Sequence, residues 1–285
     1  MFIKTAIRKL FPKLYMKMIF FKYHGYKFNT KNPSSFSEKL MYRKMHWSDQ
    51  RYVELSDKVK VKEYVADLIG EEYVNKNIAV YENITVKELK SKIDSFGDMF
   101  IKANHNSGPV FGIGEHTTDR ELEIIVDSIN KQMNIDFGSI NQERWYSKIE
   151  RKILLEKKLV DKNNNDILDY KFHVFRNKGK VKTFVQVDFE RNTHHSRSFY
   201  DENFRWIPFT TEYPIVKTDI AKPRNFDEML KLARQLSLDF DYVRVDFYNI
   251  DGEIIFGEIT FAHGSGLEKF NHREYDFWLG KYWVY

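Results

Sequence analysis

The strongest constraint on the fold lies near the end of the chain. Residues 242–248, Tyr-Val-Arg-Val-Asp-Phe-Tyr, and residues 253–259, Glu-Ile-Ile-Phe-Gly-Glu-Ile, flank the short polar stretch Asn249-Ile-Asp-Gly252. Runs of β-branched and aromatic residues around such a stretch predict two antiparallel strands joined by a tight turn. That hairpin brings Asp246 and Glu258 to neighbouring positions. Arg244, two residues before Asp246, falls on the same face. Two adjacent carboxylates repel each other unless a cation lies between them, and hard oxygen donors suit a magnesium ion that bridges phosphates. The flanking Val243, Val245, Phe247, Ile254, Ile255 and Phe256 predict a buried hairpin, and buried carboxylates need partners. The plainer alternative is an exposed hairpin with ordinary surface charges.

A second feature is Phe100-Ile-Lys102-Ala-Asn-His105-Asn-Ser107-Gly108. A strand that ends in a lysine runs here into a polar loop. Backbone amides of such a loop can cradle phosphates, and the lysine adds a fixed charge. The Gly-Lys-Ser/Thr ending of a P-loop is absent. A third, weaker feature is Leu154-Leu155-Glu156-Lys157-Lys158-Leu159, a strand entering a charged connector. The histidines show no metal-ligand spacing, and no Gly-x-Ser-x-Gly elbow marks a serine hydrolase.

Around these features the pattern is mixed. Ser35 and Glu38 stand at capping-box spacing before a helix. Residues 57–65 read as a helix that Gly70 ends. Residues 78–81 and 99–103 read as strands, 86–93 and 119–133 as helices. In the second half, residues 152–156 are a strand, 170–175 and 181–187 a hairpin around Asn177-Lys-Gly179, and 226–236 a helix. The expectation is an α+β fold with a helical region over 1–70, a subdomain over 71–155 carrying the loop, and a subdomain over 156–285 carrying the connector and the carboxylates.

Composition narrows the chemistry. The 285 residues are 42% hydrophobic and 16% aromatic, enough for a sizeable core and against global disorder. The absence of cysteine excludes disulfides, thiolate zinc sites and cysteine nucleophiles. A net charge of +5 suits anionic partners such as nucleotides, acidic sugars or a membrane surface, and is too spread out to indicate nucleic acid. No apolar run is long enough to span a membrane. Lys4, Arg8, Lys9, Lys13 and Lys17 interrupt the first twenty residues and no small-residue cleavage site is seen, so this segment is not expected to be a signal peptide. That segment is either a surface helix packed on the body or a peripheral contact with an anionic membrane.

Taken in order, the strand-lysine-loop, the Glu-Lys-x-Leu connector and the Arg-x-Asp strand with a following Glu resemble the ATP-grasp superfamily, and within it the TupA-like ATP-grasp family linked to bacterial surface-polysaccharide and teichuronopeptide biosynthesis. The resemblance runs from about Asn32 to Phe270. It is carried by Asn32-Pro-Ser-Ser-Phe-Ser-Glu-Lys-Leu40, Ser56-Asp-Lys58, Glu63-Tyr-Val65, the residues from Ile101 to Gly108, Asp169-Tyr-Lys171 and Gly257-Glu-Ile-Thr-Phe-Ala-His-Gly-Ser-Gly266.

The resemblance implies two α+β subdomains clasping ATP, with Mg2+ or, in its place, Mn2+. Lys102 would contact phosphate, and residues 104–108, among them His105, Ser107 and Gly108, would form the phosphate-covering loop. Glu156 would meet the adenine or ribose, with the backbone of Lys157 to Leu159 at the adenine edge. Lys171 and Arg191 would be further nucleotide contacts. Asp246 and Glu258 would hold the metal, and Arg244 would stabilise the transition state. Thr260 takes the third metal position, where many ATP-grasp enzymes carry Asn, and Pro109 after Gly108 is a second departure from the superfamily pattern. His263, Ser265 and Gly266 would line the acceptor side. The implied activity is a carboxylate-amine ligation through an acylphosphate, performed in the cytoplasm or at the inner membrane face. Its substrates would be a uronic acid of a surface polysaccharide or precursor and an amino acid or other amine. The competing readings are a glycosyltransferase-type enzyme of capsule assembly and a non-catalytic nucleotide- or glycan-binding protein on the same scaffold.

Overall fold

The computed structural model describes residues 2–162, 167–190, 194–216 and 220–284. They form two compact units. One joins Met1–Asp49 to Asp166–Tyr285; the other is Gln50–Asn165. The chain is thus cut differently from the expected segments. Residues 1–49 fold with the second half of the chain, and 50–70 with the loop-bearing part.

The first unit opens with α1 (Phe2–Leu10), α2 (Pro12–His24) and α3 (Phe36–His46). The expected capping box is present: the Ser35 hydroxyl accepts from the Glu38 amide, and the Glu38 carboxylate accepts from the amides of Asn29, Ser34 and Ser35 at 2.8–3.1 Å.

The chain then builds the Gln50–Asn165 unit from α4 (Arg51–Ser56), α5 (Lys60–Ile69), β1 (Asn77–Tyr81), α6 (Val86–Phe96), β2 (Met99–Ala103), β3 (Val110–Ile113), α7 (Asp119–Gln132), α8 (Phe137–Asn141) and β4 (Ile153–Lys157). The strands pair in the order β1-β4-β2-β3, all antiparallel. Met99, Ile101, Ala103, Ile153 and Leu155 pack one face of the sheet onto Leu89 and Ile93 of α6 and Leu122, Ile125 and Ile129 of α7. Strand alternation therefore turns Lys102 and Glu156 to the other face. The helix expected over 57–65 starts only at Lys60. Asp57 has an extended backbone, and its carboxylate accepts from the Val59 amide and from Asn104 Nδ2, which favours a turn over helix at that point.

The first unit resumes with β5 (Asp169–Asn177), β6 (Lys180–Phe189), β7 (Ser196–Asp201), β8 (Trp206–Ile207), α9 (Phe226–Leu236), β9 (Tyr242–Ile250), β10 (Glu253–Thr260) and α10 (Arg273–Gly280). Its six strands run in the order β10-β9-β5-β6-β7-β8. On β5 and β9 the residues Phe172, Val174, Val243, Val245 and Phe247 are fully buried. α9 packs on these two strands, with Phe226 meeting the Phe172 ring at 5.9 Å. Phe175, Phe184, Phe199 and Tyr242 join Phe36 and Trp283 in a second, aromatic core.

The β9–β10 turn is at the tight end of the two to four residues expected within Asn249–Gly252. Only Asp251 and Gly252 lie outside the strands, both at positive φ (53° and 98°), as a two-residue hairpin turn that matches strand twist requires. The register then shifts by one residue between Phe256 and Glu258, a bulge at Gly257. A Cβ at Gly257 would lie 3.3 Å from the Asp246 carbonyl oxygen and 3.3 Å from the Tyr248 ring, so glycine suits the close approach. Before the bulge Ile254 and Phe256 are buried; after it Ile259 and Phe261 are, so the inward positions change from even to odd.

Candidate active site

Strand pairing places the charged residues of the six-stranded sheet side by side. Glu258 stands opposite Asp246, Asp246 opposite Lys171, and Lys171 opposite Gln186. Asp188 stands opposite Arg197. The expected meeting of Asp246 and Glu258 on adjacent strands is present, and the bulge produces it: without the extra residue, Gly257 would face Asp246.

Arg244 is at the centre. Its Nε and Nη2 each donate to one Asp246 oxygen at 2.7 Å, and Nη2 lies 4.0 Å from Glu258. Burial alone would ease proton loss from Arg244, but Asp246 and then Glu258 outweigh it and hold the guanidinium charged. Nη1 donates to His263 Nδ1 at 2.8 Å. Arginine offers only donors, so Nδ1 must be the bare nitrogen and the His263 proton sits on Nε2. Nε2 faces Glu268 at 2.8 Å. Burial lowers the His263 pKa in spite of Glu268, which favours the neutral ring. Burial would raise the Glu268 pKa, but His263 and Arg197 hold it well below the usual carboxylate range.

Around this centre, Lys171 bonds Asp169 and lies 3.6 Å from Asp246 and 3.7 Å from Asp188. Arg197 bonds Asp188 at 2.6 Å and Glu268 at 2.7 Å. His173 is within hydrogen-bond distance of the Tyr242 hydroxyl (3.0 Å) and of Gln186 Oε1 (3.2 Å), and Gln186 Nε2 donates to Asp188. Asp169, His173, Gln186, Asp188, Arg197 and Glu268 had no place in the site expected from sequence. A signal for most of them exists: in β5, β6 and β9 the polar residues occupy every second position (Asp169, Lys171, His173; Gln186, Asp188; Arg244, Asp246), the mark of one polar sheet face.

The other expected residues are placed as follows. Thr260 is buried, and its hydroxyl donates to Glu258 at 2.9 Å. His263, Ser265 and Gly266 form a short turn after β10. The Ser265 carbonyl accepts from Lys44 and the Gly266 carbonyl lies 2.9 Å from His24 Nε2. Arg191 lies outside the described residues.

In the Gln50–Asn165 unit, Glu156 bonds both Lys102 and Lys62, and Lys62 also donates to the Asn75 carbonyl and to Asn77 at 2.6 Å. Lys62 was not among the expected residues. Burial would raise the Glu156 pKa, but Lys102 and then Lys62 bring it below the ordinary value. Lys157 is exposed, and its carbonyl accepts from Asn75; Leu159 is half-buried. The loop after β2 is more tied down than its composition suggests. Asn104, His105 and Asn106 are buried, with Asn104 bonded to Asp57 and to both backbone groups of Lys152. The His105 ring lies against the Ile135 carbonyl at 3.3 Å. Ser107 is exposed and Gly108 half-buried at φ 122°.

Glu156→Gln leaves two lysines without their counter-ion. It is expected to cost the Gln50–Asn165 unit about 3 kcal/mol, measured by denaturant unfolding at neutral pH. The wild-type Glu156 pKa is lowered in the folded state. Its contribution is therefore present above the unfolded carboxylate pKa and fades as pH falls through the folded value, so the gap between wild type and variant narrows in acid.

Among the described residues no group of three or more His, Asp or Glu side chains could hold a metal. The donor set at the hairpin is two facing carboxylates, one buried and bonded to Arg244, the other 40% exposed. That set suits Mg2+, which takes one or two protein carboxylates and completes its shell with phosphate oxygens and water. It does not suit an ion caged by protein alone.

No curated protein matches the chain. D-alanine-D-alanine ligase from Helicobacter pylori is similar over 74% of this chain and 55% of its own, with 16% identity and a TM-score of 0.45. N5-carboxyaminoimidazole synthetase from Staphylococcus aureus, complexed with ADP, is similar over 72% and 43%, with 15% identity and a TM-score of 0.40. VanG D-Ala:D-Ser ligase from Enterococcus faecalis is similar over 73% and 53%, with 12% identity and a TM-score of 0.43. The chain spans about half the length of these solved proteins. The family model described as TupA-like ATPgrasp matches residues 38–284, a stretch that includes Lys102, Glu156, Arg244, Asp246 and Glu258. With a match of that extent, the chain belongs to the TupA-like ATP-grasp family.

Proposed function

We propose that this protein is an ATP- and Mg2+-dependent ligase that joins a carboxylate to an amine, with Mn2+ able to replace Mg2+. The observation that carries the reading is the facing pair Asp246 and Glu258 with a charged, buried Arg244 between them, in a chain of this family. In the first step a substrate carboxylate oxygen attacks the γ-phosphorus of ATP; the bond to the β-phosphate oxygen breaks and ADP leaves. In the second, the amine nitrogen attacks the acyl carbon, the carbon–oxygen bond to phosphate breaks, the nitrogen loses a proton, and an amide and phosphate result.

In this reading Asp246 and Glu258 hold the divalent ion, which would neutralise phosphate charge. Thr260 orients Glu258 through its hydroxyl. Arg244 faces the negative charge that develops on the transferring phosphoryl group or on the acyl oxyanion. Asp246 and His263 fix its guanidinium in advance, so little reorganisation is needed when that charge appears. Lys102 and residues 104–108 contact phosphates, Glu156 and the backbone from Lys157 to Leu159 the nucleoside, and Lys171 and Arg191 supply further contacts. His263, Ser265 and Gly266 lie toward the acceptor. For the carboxylate we propose a uronic acid of a surface polysaccharide or its precursor, and for the amine an amino acid, in the cytoplasm.

The test is ADP release across uronic-acid glycans and amino acids, with product mass recorded. ADP formation that needs Mg2+, a carboxylate and an amine together, with loss of one water from the joined substrates, supports the reading. Turnover of a nucleotide sugar in place of ATP would point to glycosyl transfer. ATP binding without turnover for any pair would point to a binding protein.

A further inference from the structure

We propose that α2 is a docking face for the surface of an anionic bilayer. Such a face would act independently of the ligase chemistry. One side of α2 is already used: Met16 and Phe20 pack with Phe28 of the following segment and Met41 of α3. On the opposite side Phe11, at the helix start, and Leu14, Met18 and Phe21 are 59%, 52%, 52% and 54% exposed. At about 100° per residue these four form one strip roughly 80° wide along the helix. Lys22 borders the strip on one edge, Lys17 and Lys13 on the other, and all three are exposed. Four large apolar side chains at that spacing are not scattered surface residues.

Charge identifies the occupant. The first acidic residue of the chain is Glu38, and the residues before it hold eight lysines and arginines, more than the entire net charge of +5. The net positive charge, which the overall composition makes look spread out, thus resides in the first 37 residues that carry the apolar strip, and the remainder of the chain is net acidic. A second copy meeting this strip across a two-fold axis would bring lysine rows together and be repelled. A nucleic-acid backbone would satisfy the lysines but leave the strip in water. A bilayer with anionic headgroups satisfies both, the strip sinking to the acyl boundary while the lysines remain at the phosphates. No helix among the described residues is long and apolar enough to cross a membrane, so α2 would lie in the plane of the surface.

The test is co-sedimentation of the full chain with phosphatidylcholine vesicles, with and without about one-third phosphatidylglycerol. The expected result is binding at least about tenfold tighter to the anionic vesicles, weakened by high salt. Leu14→Glu with Met18→Glu should lower that binding at least about tenfold. A Lys13→Gln, Lys17→Gln, Lys22→Gln variant, which keeps the strip, should lose the preference for anionic lipid. The proposal is overturned if the full chain stays in solution with anionic vesicles, or if the Leu14/Met18 variant binds as the wild type does. A wild-type dimer in solution that the Leu14/Met18 variant converts to monomer would also overturn it.

Discussion

Asp246→Asn is expected to lower the rate of ADP formation about 100- to 1,000-fold, an effect of the size seen when one charge-stabilising group is removed from an active site. The substitution keeps the shape of the side chain and removes its charge. In the proposed reading it therefore strips the divalent ion of one anionic ligand, and it leaves Arg244 with Glu258, 4.0 Å away, as its nearest remaining carboxylate. Because the Arg244–Asp246 pair is buried, some loss of stability accompanies the change. Glu258→Gln separates the two effects. Glu258 is 40% exposed, so its neutralisation should leave the fold nearly unchanged while depressing turnover to a similar degree. If steady-state assays on folded Asp246→Asn and Glu258→Gln proteins gave wild-type rates, the assignment of the hairpin as the metal site would be lost.

The second large effect is on stability. Trp283→Ala should cost about 4 kcal/mol, near the middle of the range for truncating a large buried aromatic residue. Trp283 is fully buried. Its ring lies 4.7 Å from that of Tyr242 and 6.0 Å from that of Phe36, the Arg43 guanidinium stands 4.2 Å over it, and Nε1 donates to Asp241 at 2.7 Å. Removal leaves a cavity where α3, β9 and the end of the chain meet, and frees one acceptor of Asp241. Denaturant titration should show a lower midpoint with a similar slope, and Trp283→Phe should recover much of the loss. A cost below about 1 kcal/mol would mean that this aromatic cluster does not hold the unit together.

The hairpin was legible in the sequence because two independent signals agreed: strand-forming runs and a turn whose residues tolerate positive φ. The helix over residues 226–236 was legible for a similar reason, its apolar residues recurring at helical spacing. The capping box at Ser35 and Glu38 was readable because it depends on local spacing alone. The bulge at Gly257 was not, since a glycine inside a strand fits a bulge, a bend or a plain strand equally well. The polar sheet face escaped notice because it becomes visible only when the phases of several strands are compared. The division into units was hidden for a different reason. Residues 1–49 join the segment from β5 to α10 through contacts distant in sequence, such as Arg43 with Asp241 and Lys39 with the carbonyl of Gly280, and nothing local announces such pairings. Glu156 shows the limit from another side. Its strand was read correctly, but only the fold reveals that it faces two lysines, one of them from α5.

The extra residue at Gly257 also bears on how kinship to this protein is recognised. In a hairpin with the same turn but no bulge, the second carboxylate would have to sit one place nearer the first to occupy the same point in space. An aligner that forbids a gap there would set glycine against glutamate and report the acid as missing. Distant cousins of this chain are better compared by counting outward from the Asp251-Gly252 turn and allowing that single offset.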